Sequence, residues 1–180
     1  MAFRAFLDAN VLVPARLRDV LLTLAEVDLF EPLWSLIALE EAARHLPLTM
    51  SPDDRRHLFG LMNGASPGAM VAWPGAVDLD VRLQINEKDR HIVAAALWGH
   101  ADLVLTDDGT FRDELLTSGL VDAQSTPEFL AYAMDTDTRV ARRALFAMAR
   151  NRWGATGTDV EIRRRLTDYF ERKGWPTAAL

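Results

Sequence analysis

The chain has 180 residues, 49% of them hydrophobic and 26% charged, which suits one domain with a sizeable core, or a domain with an appendage, and gives no indication of disorder. It contains no cysteine, so disulfides and thiolate-held zinc or redox centres are excluded. A net charge of −6 argues against holding nucleic acid by bulk electrostatics, yet the total hides an asymmetry: residues 1–138 carry 10 Lys or Arg against 22 Asp or Glu, and residues 139–180 carry 10 against 4.

An acidic body with a basic tail suggests two tasks, collecting cations in one place and meeting an anion or an acidic partner in another. The longest apolar runs, such as Ile92 to Trp98, are too short to cross a bilayer. The opening MAFRAFLDANVL holds no apolar stretch of signal-peptide length, so a cytoplasmic location and no membrane partner are expected.

In chain order, Ala2–Leu7 reads as a short buried strand ending at Asp8. Pro14 starts the next segment, where Leu17, Val20, Leu21, Leu24 and Val27 recur at helical spacing. Leu33-Trp34 is a short second strand, and Ser35 caps a helix through Leu46 that Pro47 stops. A further helix starts near Ser51-Pro52 and runs to Asn63-Gly64. Residues 64–75 read as loop broken by a strand at Met70–Trp73.

Asn86 caps a helix carrying Ile92, Val93, Ala96 and Leu97, which Gly99 ends. Leu103–Thr106 is a buried strand feeding into Asp107-Asp108, and Val121–Ala123 is a last edge strand. Helices are expected at Thr126–Met134, Arg139–Asn151 and Thr158–Lys173. Strands alternating with helices mean an α/β domain with a mainly parallel sheet through about residue 134. The remainder, 135–180, is a basic helical extension.

Asp8 and the Asp107-Asp108 pair follow expected strands, and in open parallel sheets ligands bind beyond the carboxyl ends of the strands. Asp89 falls in the first turn of its helix, and Glu41 falls mid-helix. Carboxylates gathered together repel one another and need a cation between them. A hard divalent ion such as Mg²⁺ or Mn²⁺ answers that need, and its chemistry suits phosphodiester hydrolysis without a histidine, cysteine or serine nucleophile. Singly, each of these acids reads first as a structural residue such as a cap, and only the combination at consistent strand ends favours a site.

Four passages carry a resemblance to a known family: FLDANVLVPARLRDVLLTLAE, WSLIALEEAARHL, EKDRHIVAAALWGHADLVLTDDGTF and STPEFL. In this order they resemble the PIN-domain family, in particular the VapC-type toxin ribonucleases of bacterial toxin–antitoxin pairs. The likeness covers about residues 3–134 and implies a PIN-like three-layer α/β/α domain over 1–134. It implies catalytic, metal-binding roles for Asp8, Glu41, Asp89 and Asp108, with Glu40 and Asp107 as alternates and Asn10 and Thr106 in support. Glu41 is preferred because Arg44 and Leu46 follow at the family's spacing; Asp108 is preferred because Thr106-x-Asp108 fits the T-x-[DN] signature, with Phe111 behind it. Thr110 stands where many relatives carry a further acid, which leaves the fourth ligand least fixed. The resemblance further implies Mg²⁺- or Mn²⁺-dependent cleavage of single-stranded RNA, a homodimer and a cognate antitoxin. The tail resembles a helical extension in one branch of these toxins, which assigns it no function.

Arg139, Arg142, Arg143 and Arg150 fall near one helical face, and Arg163, Arg164 and Arg165 form a second cluster. Both read as RNA or acidic-partner contacts, or as a solvated face balancing the body. His45, His57, His91 and His100 lack metal-ligand spacing. His91 reads as a surface group or one supporting the site, Arg18-Asp19 as a surface pair or a support, and Trp34, Trp73 and Trp98 as core or interface. Trp153 and Trp175 are candidates for stacking on bases. Two rivals remain: an inactive PIN-like partner-binding module, against which the full acid set argues, and another aspartate-based phosphotransfer enzyme. The latter needs a lysine near its nucleophile, and the chain has only Lys88 and Lys173.

Overall fold

Phe6 and its neighbours Ala5 and Leu7 are all wholly buried but face opposite ways, and this alternation at the first strand organises the molecule. The computed structural model describes residues 3–72 and 85–180. The strands are β1 (Arg4–Leu7), β2 (Glu31–Leu33), β3 (Leu103–Leu105) and β4 (Asp122–Gln124), all parallel, in the order β2-β1-β3-β4. The chain leaves β1 for β2 on one side and reaches β3 on the other. The order therefore reverses beside β1, where α/β sheets open a ligand crevice. Trp34 extends β2 by a parallel bridge to Met70, closed by Trp34 N donating to Ala69 O and Val71 N donating to Trp34 O, each at 2.9 Å. The expected strand at Met70–Trp73 is thus a single bridge among the described residues, and Trp73 lies outside them.

Helices cover both faces, giving three layers. On one face Phe6, Leu33, Val104 and Ala123 meet α5 (Arg90–Trp98) and α6 (Gly109–Ser118) through Ile92, Val93, Ala96, Phe111 and Leu115. On the other, Ala5, Leu7, Leu103 and Leu105 meet α1 (Ala9–Leu12), α2 (Ala15–Glu26) and α7 (Thr126–Thr136). Helix α3 (Leu36–His45) is capped by Ser35 as its sequence suggests, and α4 (Pro52–Ala65) starts with a Ser51–Asp54 capping box. Gly99 ends α5 where a β-carbon would come within 2.8 Å of Val71 Cγ2, a close approach that requires glycine.

The basic segment packs on this second core. Helix α8 (Thr138–Asn151) buries Ala141, Leu145 and Met148, and α9 (Asp159–Lys173) buries Ile162, Leu166 and Phe170, in one cluster with Leu17, Leu21 and Leu24 of α2. Spacings of three and four put these residues on one stripe and the arginines on the other side. Only Asp137 separates α7 from α8; its extended backbone breaks the helix and its side chain accepts from Val140 N at 3.0 Å.

Several expectations change. A short helix, α1, follows Asp8 before Pro14, which the sequence reading left unassigned. Asn86 caps a 3₁₀ turn, Glu87–Asp89, so Asp89 stands at the entrance to α5 rather than inside its first turn. Trp98 is 56% exposed and does not fill the core, whereas Trp34 does. Trp153 donates to Asp19 at 2.9 Å and packs on Tyr169, and Trp175 is buried against Phe170, so neither ring is free to stack on bases. Arg18 is likewise no surface group. It is buried and donates to the carbonyls of Leu12 and Val13 at 2.6 and 3.2 Å.

Candidate active site

Asp8 leaves the carboxyl end of β1, beside Thr106 at the end of β3, because Leu7 and Leu105 are register partners and Asp8 N donates to Leu105 O at 3.1 Å. The residue is 8% exposed, and both of its carboxylate oxygens accept hydrogen bonds. Oδ1 accepts from Ala9 N at 2.6 Å; Oδ2 accepts from Asn10 Nδ2 and Thr106 Oγ1, both at 2.7 Å. Burial nonetheless pushes its pKa up to about 6, against the lowering effect of the Thr106 and Ala9 hydrogen bonds; Glu41 and Asp89 add repulsion. Asn10 also donates to Thr106 Oγ1 at 2.9 Å and accepts from Asp107 N at 3.1 Å, while Thr106 Oγ1 accepts from Asp108 N at 3.2 Å. One polar network therefore spans both strand ends.

The two adjacent aspartates separate in role. Asp107 turns away: Oδ1 accepts from Thr126 N and Oδ2 from Thr126 Oγ1, both at 2.8 Å, which fastens the start of α7. Asp108 caps α6 by accepting from Phe111 N at 3.1 Å and leaves Oδ2 toward the cleft. Helical position separates the glutamates in the same way. Glu41 lines the cleft, while Glu40, one residue earlier, is exposed and takes no part in its lining.

Asp8, Glu41, Asp89 and Asp108 thus line one open cleft of about 370 Å³, together with Asn10 and Lys88. They come from the junction of β1 and α1, from α3, from the 3₁₀ turn and from the loop after β3. Lys88 Nζ lies 3.6 Å from Asp89 Oδ2 and 3.9 Å from Asp108 Oδ2, an internal cation between two of the acids. Burial raises the pKa of Asp89; Lys88 opposes this, and Asp108, Glu114 and Glu41 reinforce it. His91, half-buried, holds Nε2 3.6 Å from Glu41 Oε2, and its buried Nδ1 has no hydrogen-bond partner among the described residues. Burial holds its pKa below the ordinary imidazole value, so it is neutral at pH 7.

No family model, curated protein or solved structure matches the chain. The chemistry of the site therefore rests on its own residues. Among the described residues no three carboxylate or imidazole groups stand close enough, as they are, to hold one metal ion. The donor set still fits a hard divalent cation. It is all oxygen, and the ammonium of Lys88 already marks the place where positive charge is required. Glu41, Asp89 and Asp108 are partly exposed where they line the cleft.

Lys88 is the residue the sequence reading undervalued. It is adjacent to Asp89, and that adjacency was the available signal. Glu114 was missed altogether; it accepts from Asn86 N at 2.9 Å and so tethers the turn that carries Lys88 and Asp89. The arginines are dispersed. Arg142 Nε donates to Ala179 O at 3.1 Å and Arg150 pairs with Asp159 at 2.7 Å, both within the extension, while Arg139 and Arg143 are exposed on α8. None of the four lines the carboxylate cleft. Among the described residues no helix is long and apolar enough to cross a membrane.

Proposed function

We propose that this protein is a metal-dependent endoribonuclease of PIN-like type, the toxin of a VapBC-type pair, cutting single-stranded RNA. One observation carries the reading: four carboxylates from four separate segments face one cleft beyond the carboxyl ends of β1 and β3. Mg²⁺ or Mn²⁺, if held there by Asp8, Glu41, Asp89 and Asp108, would supply water activation near neutral pH and Lewis-acid polarisation of a phosphoryl group. The chain's own contribution is to hold Asp8 in one orientation through Ala9, Asn10 and Thr106, and to bring Asp89, Glu41 and Asp108 to the same cleft. Lys88, on a flexible and largely exposed stem, neutralises negative charge at the same point and can turn toward a phosphate oxygen. A homodimer and a cognate antitoxin follow from the family resemblance and form part of the proposal.

A second reading has a specific observation in its favour. An aspartate-based phosphotransferase needs a lysine beside its acids, and Lys88 supplies one, which removes the ground on which the sequence disfavoured that class. Against it, Asp8 is buried and its orientation is fixed by three hydrogen bonds, a poor setting for a nucleophile that must attack phosphorus in line. The complete acid set also argues against an inactive partner-binding module.

Incubation of the protein with single-stranded RNA and Mg²⁺ or Mn²⁺ tests the reading. The expected products carry 5′-phosphate and 3′-hydroxyl ends, chelator abolishes the reaction, and Asp89→Asn lowers the rate at least a hundredfold. Cleavage that persists in chelator, or full activity in Asp89→Asn, contradicts it.

A further inference from the structure

A second pocket, of about 230 Å³, lies where the start of α2 meets the α8–α9 junction and the outer side of α9. Its character is opposite to that of the acidic cleft. Arg16, Arg165 and Arg172 line it with a single acid, Asp168, so it carries a net positive charge in a chain whose net charge is −6. Trp153 and Tyr169 form its floor. The Arg16 guanidinium lies 4.9 Å from both ring centres, and that of Arg172 lies 5.9 Å from Tyr169. These cation–π contacts hold the two guanidinium groups over the rings, and Arg172 is further fixed by donating Nε–H to Asp168 O at 3.1 Å. Among the described residues, no hydrogen bond or ion pair engages the side chain of Arg16 or Arg165. Glu161, one turn before Arg165, feels that arginine's charge without forming an ion pair with it, and the three guanidinium groups gathered in a concave site concentrate positive potential for an external anion.

Position ties this pocket to the first. Val13 lines the carboxylate cleft and Arg16 lines the basic pocket. The aromatic faces are covered by arginine, so the ligand group is a phosphate rather than a base.

We infer that the Arg16–Arg165–Arg172 pocket binds a backbone phosphate of the RNA strand that is cut in the carboxylate cleft. This rests on the ribonuclease reading and adds to it a positioning site contributed jointly by α2 and the basic extension.

The test is fluorescence anisotropy with a 12-nucleotide single-stranded RNA over a salt series. Full-length Asp89→Asn serves as the non-cleaving parent, and cleavage by the wild type is measured in parallel. Arg165→Gln and, separately, Arg16→Gln are expected to weaken binding about three- to tenfold whatever the RNA sequence, and to reduce the log–log salt slope by about one each. Arg165 is exposed and supports no core packing, so its variant separates loss of contact from loss of fold. Arg139→Gln, on α8 outside the pocket, is expected to leave the slope unchanged. Unchanged affinity and slope in both pocket variants, with RNA still bound by the parent and cut by the wild type, overturn this inference and leave the ribonuclease reading standing. An equal fall in slope for Arg139→Gln overturns it in favour of a diffuse basic surface. Absence of both cleavage and binding overturns the two together.

Discussion

Asp8 keeps a carboxylate where burial disfavours its charge, and that conflict has a measurable sign. Its folded-state pKa of about 6 lies above the ordinary 3.8. The folded protein therefore holds a proton that the unfolded chain has released between roughly pH 4 and 6. Metal-free protein loses stability through that window as pH rises, by on the order of 3 kcal/mol, and the loss is complete above it. The capping acids Asp54, Glu128 and Glu161, held low by their hydrogen bonds to Ser51, Ser125 and Thr158, act in the opposite direction. Comparison with Asp8→Asn cancels them. The difference in thermal midpoint, wild type minus Asp8→Asn, is expected to fall between pH 4 and pH 7 in chelator; a flat difference contradicts the assignment. Asp8 and Asp89 were legible because each follows a recognisable boundary, a strand end or a helix start. The distinct roles of Asp107 and Asp108 were only a matter of register in the sequence. Their separation depends on Thr126, whose backbone N–H and hydroxyl capture Asp107 across a gap of 19 residues, and local spacing does not encode such a contact.

At the level of elements, α1 is the part of the site that sequence patterns could not reveal. Four residues are too few for a periodic signal and too few to be stable alone. Its stability comes from outside: Asp8 accepts at its start, and buried Arg18 donates to Leu12 and Val13 carbonyls at its end. This explains why Arg18 faces inward from α2. Arg18→Met keeps the apolar stem and removes the donors, leaving two carbonyls unsatisfied. The expected cost is about 2–3 kcal/mol, read as a lowered thermal midpoint, with reduced cleavage because Asn10 rides on α1. A midpoint within a degree of wild type removes this role. The longer helices were readable to within a few residues because capping and apolar spacing agree, as at Ser35 and Leu36–His45. The 3₁₀ turn before α5 was hidden because Asn86 caps either kind of turn equally well.

At the scale of the whole molecule, the basic extension and the acidic body share a core. Leu145, Met148, Ile162, Leu166 and Phe170 are buried in one cluster with Leu17, Leu21 and Leu24. Removing α8 and α9 exposes α2 and forfeits burial worth about 1.5–3 kcal/mol for each large side chain, comparable in sum with the whole stability of a domain. Truncation after Ala133 is therefore expected to give an aggregated or unfolded product by circular dichroism; a cooperatively folding fragment contradicts this. Composition showed the charge asymmetry, but not that the apolar stripe beneath the arginines completes the core. That depends on which face of α2 remains to be covered. Mn²⁺ binding measured by isothermal titration tests most directly the proposed divalent-cation site of Asp8, Asp89 and their partners. The wild type and Glu40→Gln are expected to bind alike, and Asp8→Asn and Asp89→Asn at least tenfold more weakly. No binding by the wild type, or equal binding by all four proteins, contradicts it.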